Sequence, residues 1–83
     1  MIERNINCLS TKLNEASIIL NTETGRYIEL NETGSLIWEK IETPIEIDSL
    51  ISFLVQEYNI DPETCKKETK IFLSECKEAG LLI

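Results

Sequence analysis

The sequence of 83 residues contains no histidine, and this absence limits the chemistry that the chain could catalyse. Histidine is the commonest general base, activator of nucleophiles and metal ligand near neutral pH. The three cysteines, Cys8, Cys65 and Cys76, are odd in number and form no C-x-x-C pair, so neither a disulfide framework nor a zinc site is expected. We therefore expect reduced thiols, no metal, no cofactor and no catalytic residues: the sequence predicts that the protein is not an enzyme.

Long apolar runs are also absent. No run approaches the roughly 18–20 residues that a membrane-spanning helix needs, and residues 1–5 lack the pattern of a signal peptide. We expect a cytoplasmic protein without a membrane partner. The chain carries 15 acidic and 8 basic side chains, a formal net charge of −7. This charge would repel a phosphate backbone, so nucleic acid is a poor partner and a cationic or mixed peptide is a better one.

The chain does contain strand patterns in its first part and helix patterns in its second, as in a single α+β domain over residues 1–83. In the third predicted strand, Tyr27 and Glu29 alternate with Ile28 and Leu30, which indicates a half-buried strand. The predicted strands cover residues 6–13, 16–20 and 26–30, with a tight turn at residues 14–15.

Three helices are predicted to follow, over residues 32–41, 47–58 and 62–79. Asn31 can cap the first, and Asp61 followed by Pro62 is a strong signal for the start of the third. Gly80 suits the position just after its end. Gly34 lies inside the first helix and predicts the close approach of another element. Three strands followed by three helices match a winged helix-turn-helix-like architecture, with residues 81–83 folded back onto the core.

The third predicted helix has an apolar residue on an unexpected side. At 100° per residue its core stripe contains Cys65, Thr69, Phe72, Leu73, Cys76 and Ala79. Ile71 falls outside this stripe, among charged residues. It either packs against a strand edge or the C-terminal tail, or it lines a groove for a partner. The neighbouring glutamates and lysines should form surface ion pairs.

A three-stranded sheet has open edges, whose unpaired N–H and C=O groups can accept another strand. If the third strand is such an edge beside the third helix, the two enclose a groove. Its helix wall would be the face around Glu68, Ile71, Phe72 and Glu75, and the carboxylates would favour a basic ligand. An open edge can also pair with a second copy, which would give a homodimer.

Two other functions stay open. A winged helix can bind DNA through its last helix, and Lys66, Lys67 and Lys70 lie there, although acidic neighbours interleave with them. A structural subunit of an enzyme complex would instead bind protein but no peptide. Neither alternative requires an open groove beside the third strand.

Residues 25–38 resemble the signature of the PqqD-like family, in the string G-R-Y-x-x-L-N-E-x-G-x-x-I-W. The segments 47–58, 61–62, 72–73 and 80–82 also fit the helical half of that family. The resemblance implies a RiPP recognition element, which has three strands and three helices and binds the leader of a ribosomally made precursor peptide. The leader would add as a strand antiparallel to the third strand and lie against the third helix.

The resemblance also implies partners and binding residues. The partner enzyme would be the leader peptidase of lasso-peptide maturation, which the short chain rich in Ile, Asn, Lys and Glu favours, or a radical-SAM enzyme of pyrroloquinoline quinone synthesis. Lasso leaders typically carry a Tyr-x-x-Pro motif for apolar pockets between strand and helix. Cys65 and Cys76 depart from the usual helix residues. The implied peptide-binding residues are Arg26, Tyr27, Ile28, Glu29, Leu30, Glu68, Ile71, Phe72 and Glu75.

Overall fold

The computed structural model describes residues 1–83 and has three antiparallel strands followed by three helices. The strands are β1 (Cys8–Leu13), β2 (Ala16–Asn21) and β3 (Tyr27–Leu30), in the sheet order β1-β2-β3. The helices are α1 (Glu32–Lys40), α2 (Ile47–Tyr58) and α3 (Pro62–Glu78). The predicted α+β, winged helix-turn-helix-like fold is confirmed. None of the helices combines the length and the apolar character that crossing a membrane requires.

The first strand begins at Cys8, two residues after its predicted start at Ile6. The cause is a turn at Asn5, whose side-chain oxygen accepts a hydrogen bond from the N–H of Asn7 at 3.0 Å. Its carbonyl accepts another from the N–H of Cys8 at 3.1 Å. Asparagine competes with a strand ladder in this way. The third strand likewise begins at Tyr27, one residue after its predicted start.

Two of the helices, α1 and α3, begin at the predicted capping residues. Asn31 Oδ1 accepts a hydrogen bond from the N–H of Gly34 at 2.9 Å, and Asp61 Oδ2 accepts one from the N–H of Thr64 at 3.0 Å. Each bond satisfies one of the N–H groups that have no partner in the first turn of a helix. Pro62 occupies the first turn of α3, where its missing N–H costs nothing.

The turn after α3 fastens that helix to the sheet. Gly80 has a φ of +81°, and the N–H of Leu81 donates to the carbonyl of Cys76 at 2.9 Å, which closes a Schellman turn. The carbonyl of Gly80 accepts hydrogen bonds from the side chains of Asn21 at 2.9 Å and Asn5 at 3.0 Å. Asn21 is buried at the end of β2. The C-terminal end of α3 is therefore held close to the turn that leads into β3.

One apolar cluster joins the inner face of the sheet to the helices. Leu81 is fully buried in it, which confirms that the tail folds back, although the last residue, Ile83, is exposed. Phe72 and Ala79, at the margins of the predicted core stripe of α3, are half-buried and pack against this cluster. The cluster contains Ile19, Leu30, Ile37, Trp38, Ile41, Leu50, Ile51, Leu54, Cys65, Leu73, Cys76 and Leu81.

No pattern in the sequence predicts the structure of residues 1–5, yet they pair with two distant segments. Ile2 exchanges two backbone hydrogen bonds with Ile45, at 2.8 and 3.1 Å, and Arg4 forms an antiparallel bridge with Leu82. The guanidinium of Arg4 also lies 4.2 Å from the ring centroid of Trp38 and donates to the carbonyl of that residue. The bridge between Arg4 and Leu82 holds the two ends of the chain together.

Candidate functional site

The third strand forms an open edge of the sheet, because β2 is its only strand neighbour. The N–H of Asn21 donates to the carbonyl of Arg26 at 2.8 Å, and hydrogen-bonded and non-hydrogen-bonded pairs alternate along the strands from that point. Tyr27 and Glu29 belong to the non-hydrogen-bonded pairs, so their N–H and C=O groups point away from β2. The edge therefore offers a row of backbone donors and acceptors without a strand partner.

The third helix runs beside this edge in the opposite direction to β3. Near the end of the helix, Nη1 of Arg26 donates to the carbonyl of Glu78 at 3.4 Å. Near its middle, the ring of Phe72 lies against Gly34, just beyond the end of β3, where an added Cβ would be 3.1 Å from the ring. The predicted close approach at Gly34 is thus confirmed. Strand edge and helix together form the walls of a groove.

The four predicted helix residues share the flank of α3 that adjoins this groove. At 100° per residue, Glu68, Ile71, Phe72 and Glu75 fall within an arc of about 100°. Ile71 is 53 % exposed, so it is not packed into the core. Glu68 and Glu75 are exposed as well, and Phe72 is half-buried where the flank meets α1. The helix wall therefore consists of an apolar centre between two carboxylates.

The five predicted strand residues divide between the two faces of the sheet and the turn before it. Ile28 and Leu30 point toward the helices and are half-buried and buried, whereas Tyr27 and Glu29 are exposed on the outer face. Arg26 precedes the strand and bonds to α3. The structure thus brings Arg26, the outward backbone groups of β3 and the flank of α3 to one groove. The side chains of Tyr27 and Glu29 lie on the outer face of the sheet instead, and that of Leu30 lies in the core.

A cavity of about 300 Å³ extends the groove past the C-terminal end of β3. It lies where α1 begins, α2 ends and α3 begins. Its size and partly apolar lining suit a large apolar or aromatic side chain. Of the predicted residues, Glu68 and Phe72 line it. The remaining lining residues are Asn31, Thr33, Gly34, Ile37, Leu54, Tyr58, Ile60, Cys65 and Thr69.

Most of these lining residues were missed from the sequence. Asn31 to Gly34 could have been found, because they directly follow the predicted edge strand. Tyr58 and Ile60 could not, because their place in the cavity depends on how the end of α2 crosses α3. Local patterns do not encode that crossing.

The charges of α3 do not form the predicted ion pairs. Most opposite charges on this helix are one or two residues apart, a spacing that does not bring side chains together. Winding places Lys66, Lys70 and Lys77 on the flank opposite Glu68 and Glu75, and only Lys67 falls near Ile71. The only salt bridge of the protein joins Lys12 to Glu39, at 3.4 Å. The groove side of α3 is therefore acidic.

The face of the sheet that points away from the helices is apolar and uncovered. The register places Leu9, Leu20 and Tyr27 side by side across the three strands, and each is between 36 % and 73 % exposed. Leu13 and the half-buried Ile18 enlarge this row. We call these five residues the outer apolar patch. Contiguous exposed apolar surface of this kind is typical of interaction sites.

Comparison with known proteins gives one family and two similar structures. The family model described as Coenzyme PQQ synthesis protein D (PqqD) matches residues 16–82. No curated protein matches the sequence at a significant level. The structure of TbiB1 in complex with the TbiA(beta) leader peptide has a TM-score of 0.90 and 24 % identity, and the match covers 96 % of this chain and 93 % of that chain. The structure of lasso peptide synthetase B1 complexed with the leader peptide has a TM-score of 0.86 and 18 % identity, with coverages of 99 % and 96 %.

The two structures share the fold of this chain over nearly its whole length. The family match begins at the first residue of β2 and continues to the last residue but one. It therefore includes the open edge of β3, all three helices and both walls of the groove. On the strength of this match, the chain belongs to the PqqD family.

Proposed function

We propose that the protein binds the leader segment of a ribosomally synthesised precursor peptide as an added strand on β3. The observation on which this rests is the row of outward backbone groups of Tyr27 and Glu29 beside the exposed Ile71. In strand addition, backbone hydrogen bonds supply affinity, and pockets for side chains supply selectivity. The two similar structures, which are both complexes with leader peptides, support the proposal.

The leader runs antiparallel to β3 and hence in the same direction as α3. Its N-terminal part meets the cavity at Glu68 and Phe72 first, and its C-terminal part leaves past Glu75 toward Arg26. A large apolar side chain of the leader, such as the tyrosine of the Tyr-x-x-Pro motif implied by the resemblance, fills the cavity. Basic residues are favoured on the side of the leader that faces the two glutamates.

Strand pairing alone is too weak to hold the peptide. Each backbone hydrogen bond contributes about 1 kcal/mol after exchange with water, and β3 has only four residues. Micromolar affinity corresponds to about −8 kcal/mol, and ordering the peptide adds a cost. Buried apolar side chains, worth roughly 1.5–3 kcal/mol each, must supply the difference. The cavity is therefore as necessary to the function as the open edge.

A labelled synthetic leader with a Tyr-x-x-Pro motif tests this proposal by fluorescence anisotropy. Glu29→Pro removes one outward N–H of β3 without breaking a hydrogen bond to β2, and proline is tolerated at such edge positions. We expect micromolar binding by the wild type and about a fivefold loss for Glu29→Pro, since one hydrogen bond of about 1 kcal/mol is removed. Glu29→Gln, which keeps the N–H but loses the charge, should bind nearly as well as the wild type. Equal affinity of the proline variant and the wild type would exclude strand addition at this position.

We propose further that the protein performs no chemistry itself and delivers the bound leader to a separate enzyme, the leader peptidase of lasso-peptide maturation. Holding the leader at the enzyme raises the local concentration of the attached core peptide. The outer apolar patch supports this role, because an added leader strand would continue the same face of the sheet. An enzyme that docks there would contact protein and leader together.

A second partner enzyme has support from the family description, which names coenzyme PQQ synthesis. In that case the same groove would present a peptide to a radical-SAM enzyme. A cleavage assay with the precursor and the candidate peptidase separates the two. If the partner is the peptidase, the wild-type protein should speed cleavage of the precursor. The variant Leu20→Glu, in the outer apolar patch, should bind the leader normally but should not speed cleavage. A cleavage rate that is the same with and without the protein would exclude delivery to the peptidase.

A further inference from the structure

The first strand is the second open edge of the sheet, since β2 is again its only strand neighbour. It has six residues where β3 has four. The N–H of Thr22 donates to the carbonyl of Asn7 at 2.9 Å, and alternation from this pair directs the N–H and C=O groups of Ser10 and Lys12 toward the open edge. A longer edge than the proposed leader site is thus left without a partner.

This edge lacks the devices that natural sheets use to prevent pairing, which are proline, bulges and several charges. The register of β1 with β2 is continuous, and Lys12 is its only charged residue. Residues 5–14 contain no acidic side chain, although the chain has 15. The repulsion between two copies with a net charge of −7 is consequently weakest along β1. A second copy of the chain is the partner that fits this surface.

We propose that two copies associate through their β1 edges, antiparallel, with Thr11 on the two-fold axis. Edge-facing residues must bond to edge-facing residues, so Ser10 pairs with Cys8, Ser10 or Lys12 of the second copy. Only the pairing with Lys12 places Leu9 opposite Leu13 of the second copy, and the two-fold axis repeats that contact. These leucines then form non-hydrogen-bonded pairs, in which side chains lie closest.

The dimer would have one six-stranded sheet with a β3 edge at each end. Both grooves would remain accessible, and the two outer apolar patches would form one continuous face. The inference goes beyond the proposed function and does not depend on it, because dimerisation uses the opposite edge from the leader.

Sedimentation equilibrium of the full chain at micromolar to millimolar concentrations tests the dimer. Ser10→Pro removes one edge-facing N–H from each copy without breaking a hydrogen bond to β2. The loss of two hydrogen bonds should raise the dimer dissociation constant about thirtyfold. Glu29→Pro is the matched control at the other edge and should leave dimerisation unchanged. A chain that stays monomeric throughout, or a dimer that Ser10→Pro does not weaken, would overturn the proposal.

Cross-linking tests the register. In a Cys8→Ser background, Thr11→Cys places two thiols opposite each other in a non-hydrogen-bonded pair, whose Cα separation of about 4.5 Å lies within the range of disulfides. Mild oxidation should then link the two copies, and Ser10→Cys should link them far less. Stronger linkage at position 10 would contradict this register. Leader affinity that is lost in Ser10→Pro and kept in Glu29→Pro would instead place the leader on β1, against the proposed function.

Discussion

The ring of Phe72 on α3 lies directly against Gly34 on α1, just beyond the end of β3. A Cβ at position 34 would be 3.1 Å from this ring and 3.3 Å from the Cβ of Leu30. Phe72 and Gly34 both line the cavity, so their contact forms part of its wall.

Gly34→Ala should therefore weaken leader binding more than it changes stability. Alanine gains about 1 kcal/mol of helix propensity over glycine, which offsets the cost of crowding the ring of Phe72. We expect the free energy of unfolding in urea to change by less than about 1 kcal/mol and the leader affinity to fall about tenfold. Ser52→Ala, on an exposed part of α2, is the control. Unchanged leader affinity in Gly34→Ala would show that this contact does not shape the site.

Ile71→Asp should weaken leader binding without unfolding the protein. The side chain is exposed in the free protein, so its replacement should change the free energy of unfolding by no more than about 0.5 kcal/mol. Its contact with the leader is worth about 1.5 kcal/mol, which is roughly tenfold in affinity. Ser74→Asp adds the same charge on another exposed side of α3 and should have little effect. A variant that fails to fold would place Ile71 in the core instead.

The fold could be predicted from local signals, because caps and periodicity specify the elements residue by residue. Asn31, Asp61 and Gly80 each act where the sequence places them. The first strand was predicted too long because Asn5 forms a competing turn, which alternation of apolar residues does not reveal.

The candidate groove could be predicted only in part. Periodicity placed Ile71 outside the core stripe, and a sheet of three strands required open edges, whereas the cavity needed the crossing of three helices. Phe72 illustrates the limit, since winding placed it both in the core stripe and in the groove wall. Because Gly34 has no side chain, the ring of Phe72 can lie against it in the wall of the cavity. Contacts between distant segments, such as that of Asn21 with Gly80, leave no local pattern at all.

The acidic flank of α3 should favour basic leaders. Replacing Glu68 and Glu75 by glutamine should lower the affinity for a leader that has a basic residue after its apolar anchor by about fivefold, and should reduce the salt dependence of binding. The double variant of Glu57 and Glu63 to glutamine changes the net charge equally but lies outside the groove walls. If both double variants lose the same affinity, only the net charge matters and the groove has no charge preference of its own.

The buried thiol of Cys76 should make the protein less stable in alkali. Burial, with a smaller contribution from Glu75, raises the pKa of Cys76 from 9.0 to about 11. The thiol of the unfolded chain ionises first, so stability that is fully present below pH 9 is lost as the pH rises toward 11, by roughly 3 kcal/mol at most. Urea unfolding should show that the advantage of the wild type over Cys76→Ala shrinks across this range. Parallel pH profiles of the two proteins would contradict the assignment.

Amide exchange, followed by NMR with and without a saturating synthetic leader, tests leader capture on β3 most directly. The N–H groups of Tyr27 and Glu29 face solvent in the free protein and should become protected when the leader pairs with them, while those of Ser10 and Lys12 should be unaffected by the leader. Unchanged exchange at Tyr27 and Glu29 in the presence of bound leader would show that the peptide does not add to this strand.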